Sequence, residues 1–107
     1  MKIQDEVSQI VELIEERKGT DIVVLDLRET TNFCDFFILA TGRSSTHLRS
    51  IADSIIHTLH TPGKQGLRAE GYKEGKWIIL DCFDLVVHLF DEQTREFYDL
   101  EGLWGGK

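Results

Sequence analysis

Four sets of side chains in this sequence have types and spacings that could do chemistry. The first is Thr41-Gly42-Arg43-Ser44-Ser45, where a strand end runs into a helix start. Free backbone N–H groups at such a junction can hold a phosphate. The same residues also suit plain structure, with Ser44 or Ser45 as helix N-cap and Gly42 relieving a tight turn. One glycine with no Gly-Lys-Ser/Thr behind it matches neither a P-loop nor a dinucleotide fingerprint, which favours the structural reading. The second set is Asp81 with Asp84, joined by Asp35 or Asp26, as a metal site or an acid–base pair. Clustered carboxylates suit hard cations, and two close acids can split their pKa values. Acids at the mouth of a short hairpin usually face water, however, and no third ligand or base stands at a diagnostic spacing. The third set is His47, His57, His60 and His88. His57 and His60 lie three apart on a helix without a Cys or Asp partner at metal-binding spacing, so solvated side chains are the better reading. No Ser-His-Asp or Cys-His constellation can be assembled.

The fourth set forms a surface. Lys76–Trp104 contains both tryptophans and seven acids, against Lys76 and Arg95 as its only bases. Two alternating apolar runs, Trp77–Asp81 and Asp84–Phe90, flank Cys82-Phe83 and predict an antiparallel hairpin. Placing Asp81 opposite Asp84 sets Ile79 against Val86 and Trp77 against His88, all on one side of the sheet. Ile78, Leu80, Leu85, Val87 and Leu89 then make a plain aliphatic face on the other side. Trp77, Ile79, Asp81, His88, Tyr98 and Glu101 together resemble a protein-binding surface, since Trp and Tyr anchor hot spots and acids select a basic partner. The competing reading covers Trp77 with the last helix and leaves the acids as a solvated rim.

The elements that must position these residues follow from periodicity. Ile3, Val7, Ile10, Val11 and Ile14 define an amphipathic helix over 3–17, stopped at Lys18-Gly19 with glycine at the C-cap. Ile22–Leu27 reads as a strand, and Asp35–Thr41 as a strand buried on both faces. A helix from Ser45 to His60 carries Leu48, Ile51, Ile55 and Leu59 on one stripe. Thr61–Gly66 ends it with the only proline and two glycines. Leu67–Tyr72 is a further strand. A final helix, Glu92–Gly102, turns Phe97, Leu100 and Leu103 or Trp104 to one face, with Tyr98 and Glu101 beside it. The order α-β-β-α-β-β-β-α, with one crossover within 35–72, predicts an α+β (α/β sandwich) fold. Its mixed sheet has about five strands flanked by helices.

Length and composition narrow the class. At 107 residues the chain is expected to be one domain, spanning 1–107, with a core large enough to dispense with metals and disulfides. Its formal charge of −7 argues against direct nucleic-acid binding and for a basic protein partner. Cys34 and Cys82 lie in apolar runs and read as small buried hydrophobes. The sequence shows no secretory leader, transit peptide or membrane span, which points to a cytoplasmic protein of bacterial type.

The chain resembles the ribosomal silencing factor, or Iojap-like, family. The match runs through Asp35–Gly42 with Ser44, Ser45 and His47, then Glu70-Gly71, Trp77–Phe90 and Arg95–Trp104. The resemblance implies a non-enzymatic protein without cofactors, on a sheet of nucleotidyltransferase-like topology that lacks that class's catalytic acids. It implies binding to the large ribosomal subunit at its subunit-joining face, through the fourteenth large-subunit protein, so that the small subunit cannot dock and translation is repressed. It also implies that Trp77, Asp81, His88, Tyr98, Glu101 and Trp104 contact the partner. Arg95 matches too and reads as neutralising nearby acids. Phe83 stands where many family members have glycine. A homodimer and, as the rival class, a nucleotide-binding transferase using residues 42–45 and the aspartates remain open.

Overall fold

The computed structural model describes residues 3–32, 34–59, 68–82 and 84–104. Along the chain it forms α1 (Ile3–Glu16), β1 (Thr20–Asp26), β2 (Phe36–Thr41), α2 (Ser45–Leu59) and β3 (Arg68–Glu70). These are followed by β4 (Trp77–Asp81), β5 (Leu85–Phe90), α3 (Glu92–Tyr98) and α4 (Leu100–Trp104). The order is the expected one with the last helix in two pieces. The expected Thr61–Gly66 helix stop, the partner histidine His60 and the turn residue Phe83 lie outside the described residues.

The strands form one mixed five-stranded sheet in the order β1-β2-β5-β4-β3. β2 and β5 are parallel, while the other neighbours are antiparallel. β3 therefore runs the same way as β2, and β2–α2–β3 is a crossover that skips two strands. All six residues of β2 are buried, because the strand is interior and covered on both faces. Helices α1 and α2 cover one face, laying Ile10, Ile14, Leu48, Ile51 and Ile55 on Ile38, Ile78, Leu80, Val87 and Leu89. Leu100 and Trp104 of α4 lie on the other face, against Leu27, Phe37, Leu39 and Phe90. Cys34 and Cys82 are free and buried, and burial pushes the Cys82 thiol up to about 12.

Three local expectations are corrected. At the end of α1 the left-handed residue is Lys18 (φ 68°), not Gly19, whose N–H instead reaches back to the Ile14 carbonyl at 2.9 Å. The β4–β5 register is shifted by two residues: Asp81 pairs with Val86, Ile79 with His88 and Trp77 with Phe90. Cys82 N–H bonds the Leu85 carbonyl at 2.9 Å, so the turn sits one residue later than Cys82-Phe83, and Asp84 falls within it. A two-residue shift preserves parity, which is why the two faces of the hairpin keep their expected residues. Last, Glu92–Gly102 is not one helix. Asp99 adopts the left-handed conformation (φ 49°, ψ 56°) and breaks it.

Candidate functional site

The residues singled out in the sequence gather on the sheet face opposite α1 and α2. Trp77 enters β4 after a turn in which Gly71 (φ 78°) lies so close to the Trp77 carbonyl that any Cβ there would collide with it. That contact accounts for the glycine at position 71 ahead of the tryptophan. The half-buried Trp77 ring stacks on Phe90 at 5.4 Å and meets Tyr98 of α3 at 4.7 Å. Its indole N–H donates to His88 Nδ1 at 3.1 Å. His88 is 6% exposed, and burial lowers its pKa to about 4, so the ring is neutral near pH 7. With Nδ1 accepting, the proton sits on Nε2, which is buried and finds no hydrogen-bond partner among the described residues. Phe37 meets the His88 ring edge-on at 4.5 Å, and Trp104 meets Phe37 at 5.6 Å.

The two short helices are fixed by caps and one arginine. The Asp91 carboxylate accepts the Thr94 N–H at 2.8 Å, opening α3 as an N-cap. Asp99 closes α3, and its carboxylate accepts the Gly102 N–H at 3.2 Å, starting α4. A side chain at position 102 would strike that carboxylate. Arg95 is buried. Its guanidinium donates to the Asp21 carbonyl at 2.7 Å, to Thr41 Oγ1 at 2.8 Å and to Glu101 at 2.7 Å. The hydrogen bonds that Arg95 donates to Glu101 hold that carboxyl below its ordinary pKa. One side chain thus ties α3 to β1, β2 and α4.

Helix phase follows from the break. Leu100 is buried and Trp104, four residues on, is half-buried, whereas Leu103 is 72% exposed. On α3, Phe97 is 79% exposed and Tyr98 50%. The sequence put Phe97, Leu100 and Leu103 or Trp104 on one helical face. Leu100 and Trp104 do share the inward face, but Phe97 is corrected, its place there being taken by Arg95. Trp77, His88 and Tyr98 are brought together, with Trp104 linked to them through Phe37. Asp81 is exposed at the other end of β4, four residues or roughly 13 Å from Trp77. Glu101 is committed to Arg95. Sequence reasoning missed the anchoring role of Arg95, and its only trace is a lone base among acids in the closing helix.

The other candidate sites resolve into structure. Ser44 caps α2, its Oγ accepting the His47 N–H at 3.0 Å. His47 Nδ1 accepts the Arg43 N–H at 2.9 Å, and Nε2 donates to the Arg17 carbonyl at 2.7 Å. Two of the amides a phosphate would need are therefore taken, and His47 links the α1 end to the α2 start. Asp26 is ion-paired with Arg28 at 2.6 Å, whose hydrogen bonds lower its pKa to about 2. Asp35 and Asp84 adjoin through backbone, the Asp35 N–H bonding the Asp84 carbonyl at 2.7 Å. His57 is exposed. Among the described residues no three His, Cys, Asp or Glu side chains gather as a metal site, and no helix is long and apolar enough to cross a membrane.

Known proteins resemble this chain in sequence and in fold. The model of a family described as "ribosomal silencing factor during starvation" matches residues 1–107. A ribosomal silencing factor of Chromobacterium violaceum is 36% identical over 107 residues, which is all of this chain and 88% of that protein. A crystal structure of a protein from the same organism superposes with a TM-score of 0.92 at 35% identity, over all of this chain and 89% of that one. A mouse protein named "mitochondrial assembly of ribosomal large subunit protein 1" is 26% identical over 102 residues, 92% of this chain and 45% of its own length.

Proposed function

The chain belongs to the ribosomal silencing factor family, and from that premise we propose that it binds the large ribosomal subunit and keeps the small subunit from joining it. The observation that carries this reading is the surface around Tyr98. Aromatic rings stand there on the sheet, Glu92, Glu96 and Asp99 are exposed on the same closing segment, and its one arginine is paired with Glu101. Such a face suits a basic protein partner, because acids steer and select cations while desolvated rings supply the grip. The fourteenth large-subunit protein, on the subunit-joining face, is the partner that the family resemblance implies, with Trp77, Asp81, His88, Tyr98, Glu101 and Trp104 as its contact set. His88 acts from behind Trp77, whose indole it holds.

The mechanism is exclusion. A standard interface covers about 800 Å² of each partner, within reach of one sheet face and two short helices. The bound domain then occupies space that the small subunit needs, and no chemistry is required. The sheet serves as a nucleotidyltransferase-like frame used for binding.

The test is sedimentation of purified subunits with and without the protein. We expect the protein to co-sediment with large subunits and to reduce the joined-ribosome peak in proportion to its concentration. An unchanged joined peak at saturating protein would overturn the exclusion mechanism. Absence from the large-subunit fractions would overturn the binding itself.

A further inference from the structure

Helix α3 is inside-out. Its inward position holds Arg95, 9% exposed, while Phe97 two residues on is 79% exposed. The residue types alone would put the phenylalanine inside and the arginine outside. Helix α4 turns Leu100 and Trp104 inward and still leaves a large apolar side chain outside, Leu103, 72% exposed. Neither exposure follows from helix ends left to chance. The left-handed Asp99, with its carboxylate on the Gly102 N–H, fixes the phase of α4, and the Arg95 bonds to Asp21, Thr41 and Glu101 fix that of α3. The polar contacts that fix the two helices thus leave two large apolar side chains in water.

We infer that Phe97 and Leu103 are the outer anchors of the docking surface, gripping an apolar spot within a cationic protein surface. Resting on the large-subunit reading above, this assigns the first contact to residues outside the set carried over from the family pattern. Phe97 continues the aromatic run outward: it meets Tyr98 edge-on at 4.9 Å, and Tyr98 meets Trp77 at 4.7 Å. Charge names the occupant. Glu92, Glu96 and Asp99 are exposed on these helices, and their only base, Arg95, is buried against Glu101. A second copy presenting the same face would set acids against acids. A Lys/Arg-bearing surface meets both the rings and the carboxylates.

Phe97 and Leu103 also allow a cleaner experiment than Trp77. Removing Trp77 disturbs the rings that hold the platform, so lost binding would not separate contact from fold. Truncating a side chain that is mostly in water leaves stability nearly unchanged. Phe97→Ala, Leu103→Ala and the double variant are to be compared with wild type for thermal melting, self-association and co-sedimentation with purified large subunits. We expect unaltered melting, and subunit affinity lower by about 10-fold for each single change and more for the double. Glu96→Lys should weaken binding further at low salt than at high salt. Wild-type affinity in the double variant, with the wild-type protein binding, would overturn the anchor assignment alone. Loss of self-association with subunit binding intact would overturn it in favour of a second copy. Failure of the wild-type protein to bind would instead overturn the large-subunit reading.

Discussion

On one face of the sheet, helices of 14 and 15 residues lay aliphatic side chains on aliphatic strands. On the other, helices of 7 and 5 residues meet aromatic rings, a buried histidine and a buried arginine. The first face is held by close packing, which is non-directional and tolerates many residue combinations. The second is held by directional contacts: Trp77 on His88, Asp91 and Asp99 at helix ends, Arg95 on three partners. Packing suffices to make the molecule fold. Directional contacts are needed to present a particular outline to something else.

Three perturbations test this contrast. The largest effect should come from the packed face. Ile51 is fully buried between α2 and the sheet, so Ile51→Ala should cost about 3 kcal/mol in urea unfolding. Subunit affinity of the remaining folded protein should be unchanged. A loss of affinity larger than that of Phe97→Ala would erase the division between the faces.

Next comes acid, which should act on the aromatic face through His88. In the unfolded chain this histidine titrates near the ordinary histidine value of 6.5, and in the folded protein burial lowers it to about 4. Between those values the unfolded state takes up a proton that the folded state refuses. Its stabilising share is therefore whole above pH 6.5, falls as pH drops toward 4, and levels off below, by at most about 3 kcal/mol. His88→Gln should remove that share of the acid sensitivity. Parallel urea titrations at pH 7 and 4.5 are the measure, and equal losses in wild type and variant would refute a neutral buried His88.

The smallest effect should come from Arg95→Lys. The charge survives but the fork that reaches Asp21, Thr41 and Glu101 does not. The Glu101 side chain keeps 35% of its surface exposed, so water offsets part of the lost pair. We expect about 1–2 kcal/mol of stability lost and a larger relative loss of subunit affinity, since α3 and α4 carry the anchors. Lost stability with wild-type affinity would show that the arginine serves only the fold.

Much of the fold is legible in the sequence. The stripe Leu48, Ile51, Ile55 and the alternation through β4 and β5 are periodic signals within one element, and they assigned each side chain to its face. The docking residues were legible in part. Trp77 and His88 share a face by parity alone, and Tyr98 joins them once the last helix is known to cross that face. The errors fall where the local pattern was ambiguous or where a contact distant in sequence overrode it. A hairpin register offset by two residues leaves the same side chains on the same faces, so the pattern could not detect it. Read by apolar spacing, the last helix put Phe97 on one face with Leu100 and left Leu103 and Trp104 as alternatives for it. Arg95 took the inner place instead, because carbonyl and hydroxyl partners 74 and 54 residues away were waiting for it.

By itself, then, the sequence determined the order of elements, the aliphatic face of the sheet and the acidic, aromatic character of the closing segment, since these follow from residue spacing and charge. Only the tertiary structure decided which rings face water. That depends on where Asp99 breaks the chain and on what Arg95 finds beneath it, and neither is encoded within a single helix.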